Sequence, residues 1–181
     1  MQYQQKITLK NGKTAQLRNG VQTDGAVALE TFNQAHAETD YLLSYPEESS
    51  FTPEAEGTFL AEKTASTNEI EILALVDGKV AGTAGIEAIG TQYKVRHRAE
   101  FGINILKEYW GLGIGKALTE ACIQCAKKAG YTQLELTVVA ENTRAIALYQ
   151  KEGFVEYGRN PDGFRSRYSG AQELVYMLRK L

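Results

Sequence analysis

The chain has 181 residues, 43% hydrophobic and 23% charged, enough for one globular domain spanning 1–181 that buries roughly 70% of its unfolded surface. Twenty Lys and Arg against 22 Asp and Glu give a formal charge of −2, and the basic residues are scattered, which excludes a nucleic-acid partner held through phosphate contacts. The N-terminus lacks a signal-peptide apolar core and no stretch approaches about 18 apolar residues, so a cytoplasmic protein without a membrane partner is expected.

Ile7 to Lys10 and Lys13 to Arg18 flank Asn11-Gly12, which predicts a hairpin closed by a two-residue turn whose residues both tolerate positive φ. Thr23 or Asp24 is placed to cap a helix running to about Glu38. A second helix is expected from Thr52-Pro53-Glu54, where proline suits the first turn. Ile70 to Val76 and Val80 to Ile89 flank Asp77-Gly78 and form a second hairpin, and Ala99 to Leu106 alternates Phe101, Ile103 and Ile105 with Glu100, Gly102 and Asn104 as a strand.

After that strand come Gly111, Gly113 and Gly115 at alternate positions. They open a helix whose apolar face carries Ile114, Leu118, Ala121, Cys122, Cys125, Ala126 and Ala129, and Gly130 ends it. The C-x-x-C spacing of Cys122 and Cys125 invites a redox or metal reading. With only His36 and His97 elsewhere, no zinc site of usual spacing assembles, and the cysteines are assigned to the core. Thr132 to Val139 is a strand, Asn142 caps a helix to about Glu152, and Gly153 ends it. Phe154 to Gly158 and Glu173 to Leu178 supply the last strands, with Asn160-Pro-Asp-Gly-Phe-Arg165 as a turn before the final one. The order strand, helix, strand from 99 to 139 implies a parallel crossover inside a mixed sheet with helices on both faces.

Three alternating glycines at a helix start let main-chain N–H groups approach phosphate oxygens, with the partial positive charge of the helix end behind them. Two better-known phosphate loops do not fit. A Walker loop would place a glycine at Trp110 and a magnesium-binding hydroxyl at Ala117, and a dinucleotide fingerprint would need its third glycine at Lys116 or Leu118. This disfavours a nucleotide-dependent kinase or ATPase.

The segment resembles the acetyl-coenzyme A loop of the GNAT superfamily of N-acetyltransferases, Arg/Gln-x-x-Gly-x-Gly/Ala, with Gly113 and Gly115 at the glycines and Trp110 in place of the leading Arg or Gln. Asn142-Thr-Arg-Ala-Ile-Ala-Leu-Tyr149, followed by Gly153-Phe154, is similar to the family's later motif. The resemblance runs from about Ile7 to Leu178 and implies a GNAT-like α/β fold with a mixed, mostly antiparallel central sheet of about seven strands. It also implies acetyl-CoA as cosubstrate, no metal, and acetyl transfer to a primary amine by direct attack on the thioester. The acceptor is expected to be a small molecule, with a peptide amino terminus as the alternative; a non-catalytic coenzyme-A-binding module is the reading from another class. A homodimer is compatible with the resemblance.

The same resemblance assigns the coenzyme's diphosphate to the main-chain amides of Gly111, Leu112, Gly113, Ile114, Gly115 and Lys116, and its pantetheine arm to the main chain of Ile103 and Ile105. The Lys116 side chain is open between a phosphate contact and a solvated surface lysine. Tyr149 matches the family's general acid, and hydrogen-bonding the leaving sulfur is its expected role. Glu100, on the polar face of the strand, is the candidate base or water-orienting group. Asn142 caps its helix and is also a coenzyme contact. Arg144 reaches either the 3′-phosphate or solvent, and Trp110 packs without a polar contact. Between the first two helices, Tyr41 and Tyr45 are possible pocket walls, with Asp40, Glu47 or Glu48 attracting a cation.

Overall fold

The structure, a computed structural model, describes residues 1–181. Its strands are β1 (Gln4–Thr8), β2 (Thr14–Asn19), β3 (Ile70–Val76), β4 (Lys79–Ala88), β5 (Arg98–Ile105), β6 (Gln133–Val139), β7 (Val155–Ser166) and β8 (Gly170–Lys180). Its helices are α1 (Gly25–Glu38), α2 (Pro53–Ala65), α3 (Ile114–Lys128) and α4 (Thr143–Lys151). The eight strands form one sheet in the order β1-β2-β3-β4-β5-β6-β8-β7, and β5–β6 is its parallel pair. Eight strands stand where about seven are expected.

The strands separate the sheet into two faces by simple alternation. From β3, Ile70, Ile72, Ala74 and Val76 enter the main core with Ile114, Leu118, Ala121, Cys122 and Cys125 of α3. Leu73, between them in sequence, faces the other way and packs with Leu60 of α2 and Ala28 of α1. Helices α1 and α2 cross through two glycines: a Cβ on Gly25 would lie 2.5 Å from the Gly57 nitrogen. That close crossing sets one wall of the cavity described below.

Local signals were followed with a few corrections. Asp77 and Gly78 both adopt positive φ (50° and 80°), as a tight β-hairpin turn requires. The first hairpin closes differently: Gly12 donates to the Leu9 carbonyl and Leu9 to that of Lys13, and only Gly12 has positive φ, so the turn spans three residues rather than two. Thr52 caps α2 by accepting from the Ala55 N–H, whereas Asp24, at the N-cap of α1, turns its carboxylate back to the Val21 N–H and Arg18. Asn160 to Arg165 is not the turn before the last strand. It lies inside β7 as a bulge between the pairs Asn160↔Leu174 and Phe164↔Gln172, and the chain reverses later, at Arg167 to Ser169. Cys122 and Cys125 are buried on the inner face of α3, where burial holds both thiols protonated.

Candidate active site

The β5–β6 ladder is short. Its register pairs are Arg98↔Gln133, Ala99↔Leu134 and Glu100↔Glu135, and the two strands then part. Arg98 fastens the closed end by a bidentate pair with the buried carboxylate of Glu135, at 2.5 and 2.7 Å. On the β4 side, Ile89 donates to the Arg98 carbonyl and Leu106 to that of Ala81, which fixes the alternation along β5. The main-chain groups of Ile103 and the N–H of Ile105 therefore face the opened gap rather than β4. The Ile105 carbonyl accepts from the Trp110 indole N–H at 2.8 Å, so Trp110 does make a polar contact and closes the far end of the gap.

Beyond the gap lies the glycine segment. Gly111 and Gly113 have φ of 83° and 102°, and Gly113 is the N-cap of α3, a left-handed position that side-chain-bearing residues rarely adopt. None of the N–H groups of Gly111, Leu112, Gly113, Ile114, Gly115 and Lys116 donates to a protein acceptor; the first amide that does is Ala117, to the Gly113 carbonyl. Six consecutive free donors at the positive end of a fifteen-residue helix make an anion-binding concavity. The Lys116 side chain turns along the helix to Glu120 at 2.8 Å, away from those donors.

Helix α4 borders the same gap. Asn142 caps it through the Ala145 N–H and also lines the cavity. The exposed Arg144 guanidinium lies over the Trp110 ring and against Gly111, beside the concavity. Tyr149 is 7% exposed and packed edge-on to Phe101. Its hydroxyl makes no hydrogen bond within the protein, and burial pushes its pKa well above the usual tyrosine value, which keeps the proton on oxygen.

A cavity of about 720 Å³ passes through the gap, from Asn142 and Tyr149 on one face of the sheet to α1 and α2 on the other. The structure thus brings together Tyr149, Glu100, Ile103 and Asn142 from the predicted set, while the glycine segment lies next to them at the start of α3. Glu100 is exposed at the cavity mouth; burial first, then Glu87 and Glu135, raises its carboxyl above the ordinary value. The acidic loop has other occupations. Asp40 accepts from Ser169 and Ser166, Glu47 and Glu48 face Arg167, and Tyr45 accepts from the Arg167 N–H. Only Tyr41 of the loop residues singled out in the sequence lines the cavity.

Sequence reasoning missed Glu71. It stands opposite Gly85 in the β3–β4 register, and a Cβ on Gly85 would lie 2.0 Å from its Oε2, so the carboxylate lies across the bare glycine. Gly85 is in turn opposite Gly102 of β5, where a side chain would meet open space. A lone acid in the apolar run Ile70 to Val76 carries no motif, and only the register shows what it covers. Burial pushes the Glu71 carboxyl up to about 7; Thr83 and Lys63 oppose the shift, and Glu56 and Glu87 add to it.

That shift has a sign for stability. The folded state holds a proton on Glu71 that the unfolded state has lost, so this stabilisation is present below about pH 4.5 and is lost as pH rises through about 7. The charged groups facing it are Glu56 and Lys63 of α2, Glu87 of β4 and Glu100 of β5, with His36 of α1 lining the same cavity. Glu71→Gln is expected to remove a decline worth at most about 3 kcal/mol over this interval. Thermal midpoints of both proteins from pH 4.5 to 8 test it; parallel curves would assign Glu71 an ordinary acidity.

Residues 33–154 match the acetyltransferase (GNAT) family model. The crystal structure of a GNAT-family acetyltransferase from Streptococcus pneumoniae superposes with a TM-score of 0.88 at 32% identity, covering 92% of this chain and 99% of that one. A GNAT superfamily phosphinothricin acetyltransferase from Sinorhizobium meliloti, solved with acetyl-CoA, gives 0.80 at 21% identity over 97% of this chain and 89% of that one, a likeness of fold. Mycothiol acetyltransferase of Renibacterium salmoninarum is 40% identical over 77 residues, 42% of this chain and 20% of the relative, so this chain matches about a fifth of that protein's length. No helix is long and apolar enough to cross a membrane.

Proposed function

Since this chain belongs to the GNAT family of acetyltransferases, we propose that it transfers the acetyl group of acetyl-CoA to a primary amine of a small molecule. The observation that carries this reading is the run of six unpartnered amides, Gly111 to Lys116, set beside a gap in the sheet edged by free main-chain groups. A diphosphate on an extended amide-bearing arm fits both: the anion meets the amides, and the arm meets Ile103 and Ile105 as an added strand would. When bound, acetyl-CoA supplies a thioester carbonyl open to attack.

The chain's own residues do the rest. Free N–H groups along β5 are positioned to stabilise negative charge developing on the carbonyl oxygen. Tyr149 donates its unused hydrogen bond to the leaving sulfur, and its weakened acidity makes it a hydrogen-bond donor rather than a source of a freely given proton. Asn142 and Arg144 border the coenzyme end. The proton released by the amine leaves through the carboxylates of the cavity, with Glu100 at the solvent end. A peptide amino terminus is the second acceptor reading, favoured by the cavity's opening between the helices and the sheet.

At 100 times its dissociation constant, acetyl-CoA is expected to add about 2.7 kcal/mol, a rise of roughly 5–10 °C in the unfolding midpoint. ATP and NAD should give no comparable rise. Differential scanning fluorimetry with the three ligands checks this, and a shift with ATP alone would overturn the coenzyme assignment.

A further inference from the structure

We infer that the acceptor is an amine on an apolar body with no carboxylate of its own, its ammonium received by Glu71 above the bare backbone of Gly85 and Gly102. This rests on the acetyltransferase reading and names the substrate class of the same site.

The floor of the cavity comes from the register. Gly85 and Gly102 sit side by side on β4 and β5, leaving a trough in the sheet that runs from Glu71 to the opened gap. Glu71 lies flat over the first glycine, and the space over the second is empty to 4 Å. The trough ends at Gly102 of β5, the strand that borders the gap. At the trough's other edge, Thr83 and Asn104 are opposite one another; Asn104 donates to the Thr83 hydroxyl, and its own Oδ1 is buried with no partner. A buried acceptor beside an amine site is a second place for an N–H to go.

Charge decides between amines. Four carboxylates line the cavity, Glu56, Glu71, Glu87 and Glu100, and no Lys or Arg does. Of the four, only Glu87 has an ion-pair partner, Lys63, which also holds Glu69. Burial disfavours the charged form of His36, and its Nδ1 bond to the Phe32 carbonyl opposes that in part. A free amino acid would bring its carboxylate into this acidic enclosure with no cation to meet it. The walls are apolar: Leu29, Phe32, Leu43, Phe51 and Phe59 supply the surface against which an alkyl or aryl body packs.

The step balances on these groups. The Glu71 carboxylate takes one proton from the ammonium, and the freed nitrogen pair forms the C–N bond to the thioester carbon as the C–S bond breaks. The sulfur departs as thiolate, hydrogen-bonded by Tyr149, and takes a proton from solvent to leave as the free thiol, while the second proton of the nitrogen and the one held by Glu71 pass to solvent past Glu100, a net release of one proton that returns Glu71 to carboxylate. A carboxyl whose burial places its acidity near neutrality is suited to the first transfer.

The test uses matched pairs, 2-phenylethylamine against phenylalanine and tryptamine against tryptophan, with thiol release from acetyl-CoA as the readout. The decarboxylated member of each pair is expected to show at least about 100-fold higher kcat/KM. Glu71→Gln is expected to lower kcat/KM for the amines roughly 100-fold, through kcat as well as KM, with the stabilisation by acetyl-CoA intact. In that variant the acidic limb of the pH profile near 7 should disappear, and Glu71→Asp should restore part of the rate. Preference for the amino acids, release with neither class while acetyl-CoA still stabilises the protein, or unchanged kinetics in Glu71→Gln would each overturn the inference. Absence of any stabilisation by acetyl-CoA would instead overturn the reading beneath it.

Discussion

Gly113→Val is expected to abolish detectable coenzyme binding while leaving a folded protein. At φ of 102°, with nothing within 4 Å of the position a Cβ would take, the obstacle to valine is the backbone conformation and not crowding. A side-chain-bearing residue in the left-handed region costs roughly 1–2 kcal/mol, and a branched one more. The chain escapes that cost by rotating the flanking peptides, which turns the Gly113 and Ile114 amides away from their common focus. Two hydrogen bonds to a charged phosphate, each worth about 1.5–3 kcal/mol, correspond to a loss of more than 100-fold in affinity. Gly115→Ala is the control. Gly115 lies inside α3 with helical dihedrals, and its added methyl would meet only the ends of Ile105 and Leu148, at 3.3 and 3.4 Å. Calorimetric titration with acetyl-CoA should show near-normal binding for the alanine variant and none for the valine. Equal affinities would mean that the free amides do not hold the ligand.

That contrast also marks how far the sequence carried. A glycine run before an amphipathic helix is a local signal, because the positive dihedrals at Gly111 and Gly113 and the free donors follow from residues within one turn. Asp77-Gly78 and Thr52-Pro53 are local in the same way and formed as expected. Asn160-Pro-Asp-Gly misled because turn chemistry serves a bulge equally well: residues 161–163 loop out opposite Glu173 while the strands pair on both sides. Trp110 and Glu71 were beyond local reasoning. The indole finds the Ile105 carbonyl only because the chain folds back from β5, and Glu71 covers Gly85 only through a strand register set by the Asp77-Gly78 turn and the register shift at Ala74/Leu75. The acids of the loop before α2 appeared free for a substrate because their partners, Ser166 to Ser169, are more than a hundred residues away.

Tyr149→Phe is expected to lower kcat about 100-fold with little change in coenzyme affinity or in stability. The ring is fixed by packing: it meets Phe101 at 6.0 Å and Phe154 at 5.9 Å between centroids, contacts that phenylalanine retains. The hydroxyl has no protein partner and opens on the cavity, so no hydrogen bond within the protein is lost with it and the variant should keep about the stability of the parent. A hydroxyl that faces the cavity without a protein partner has its donor available for a ligand. Transfer of the phenolic proton to a thiolate is already uphill by about 2 kcal/mol at ordinary acidities of ~10 and ~8.5, and burial of Tyr149 makes it steeper. A hydrogen bond to the departing sulfur strengthens as negative charge develops there, so its loss falls on kcat and not on binding. Steady-state rates of thiol release, with acetyl-CoA affinity measured separately, distinguish the cases. A variant that is markedly less stable at unchanged kcat would make Tyr149 a packing residue and move the search for the sulfur's partner to Asn142, the other polar side chain that α4 presents to the gap.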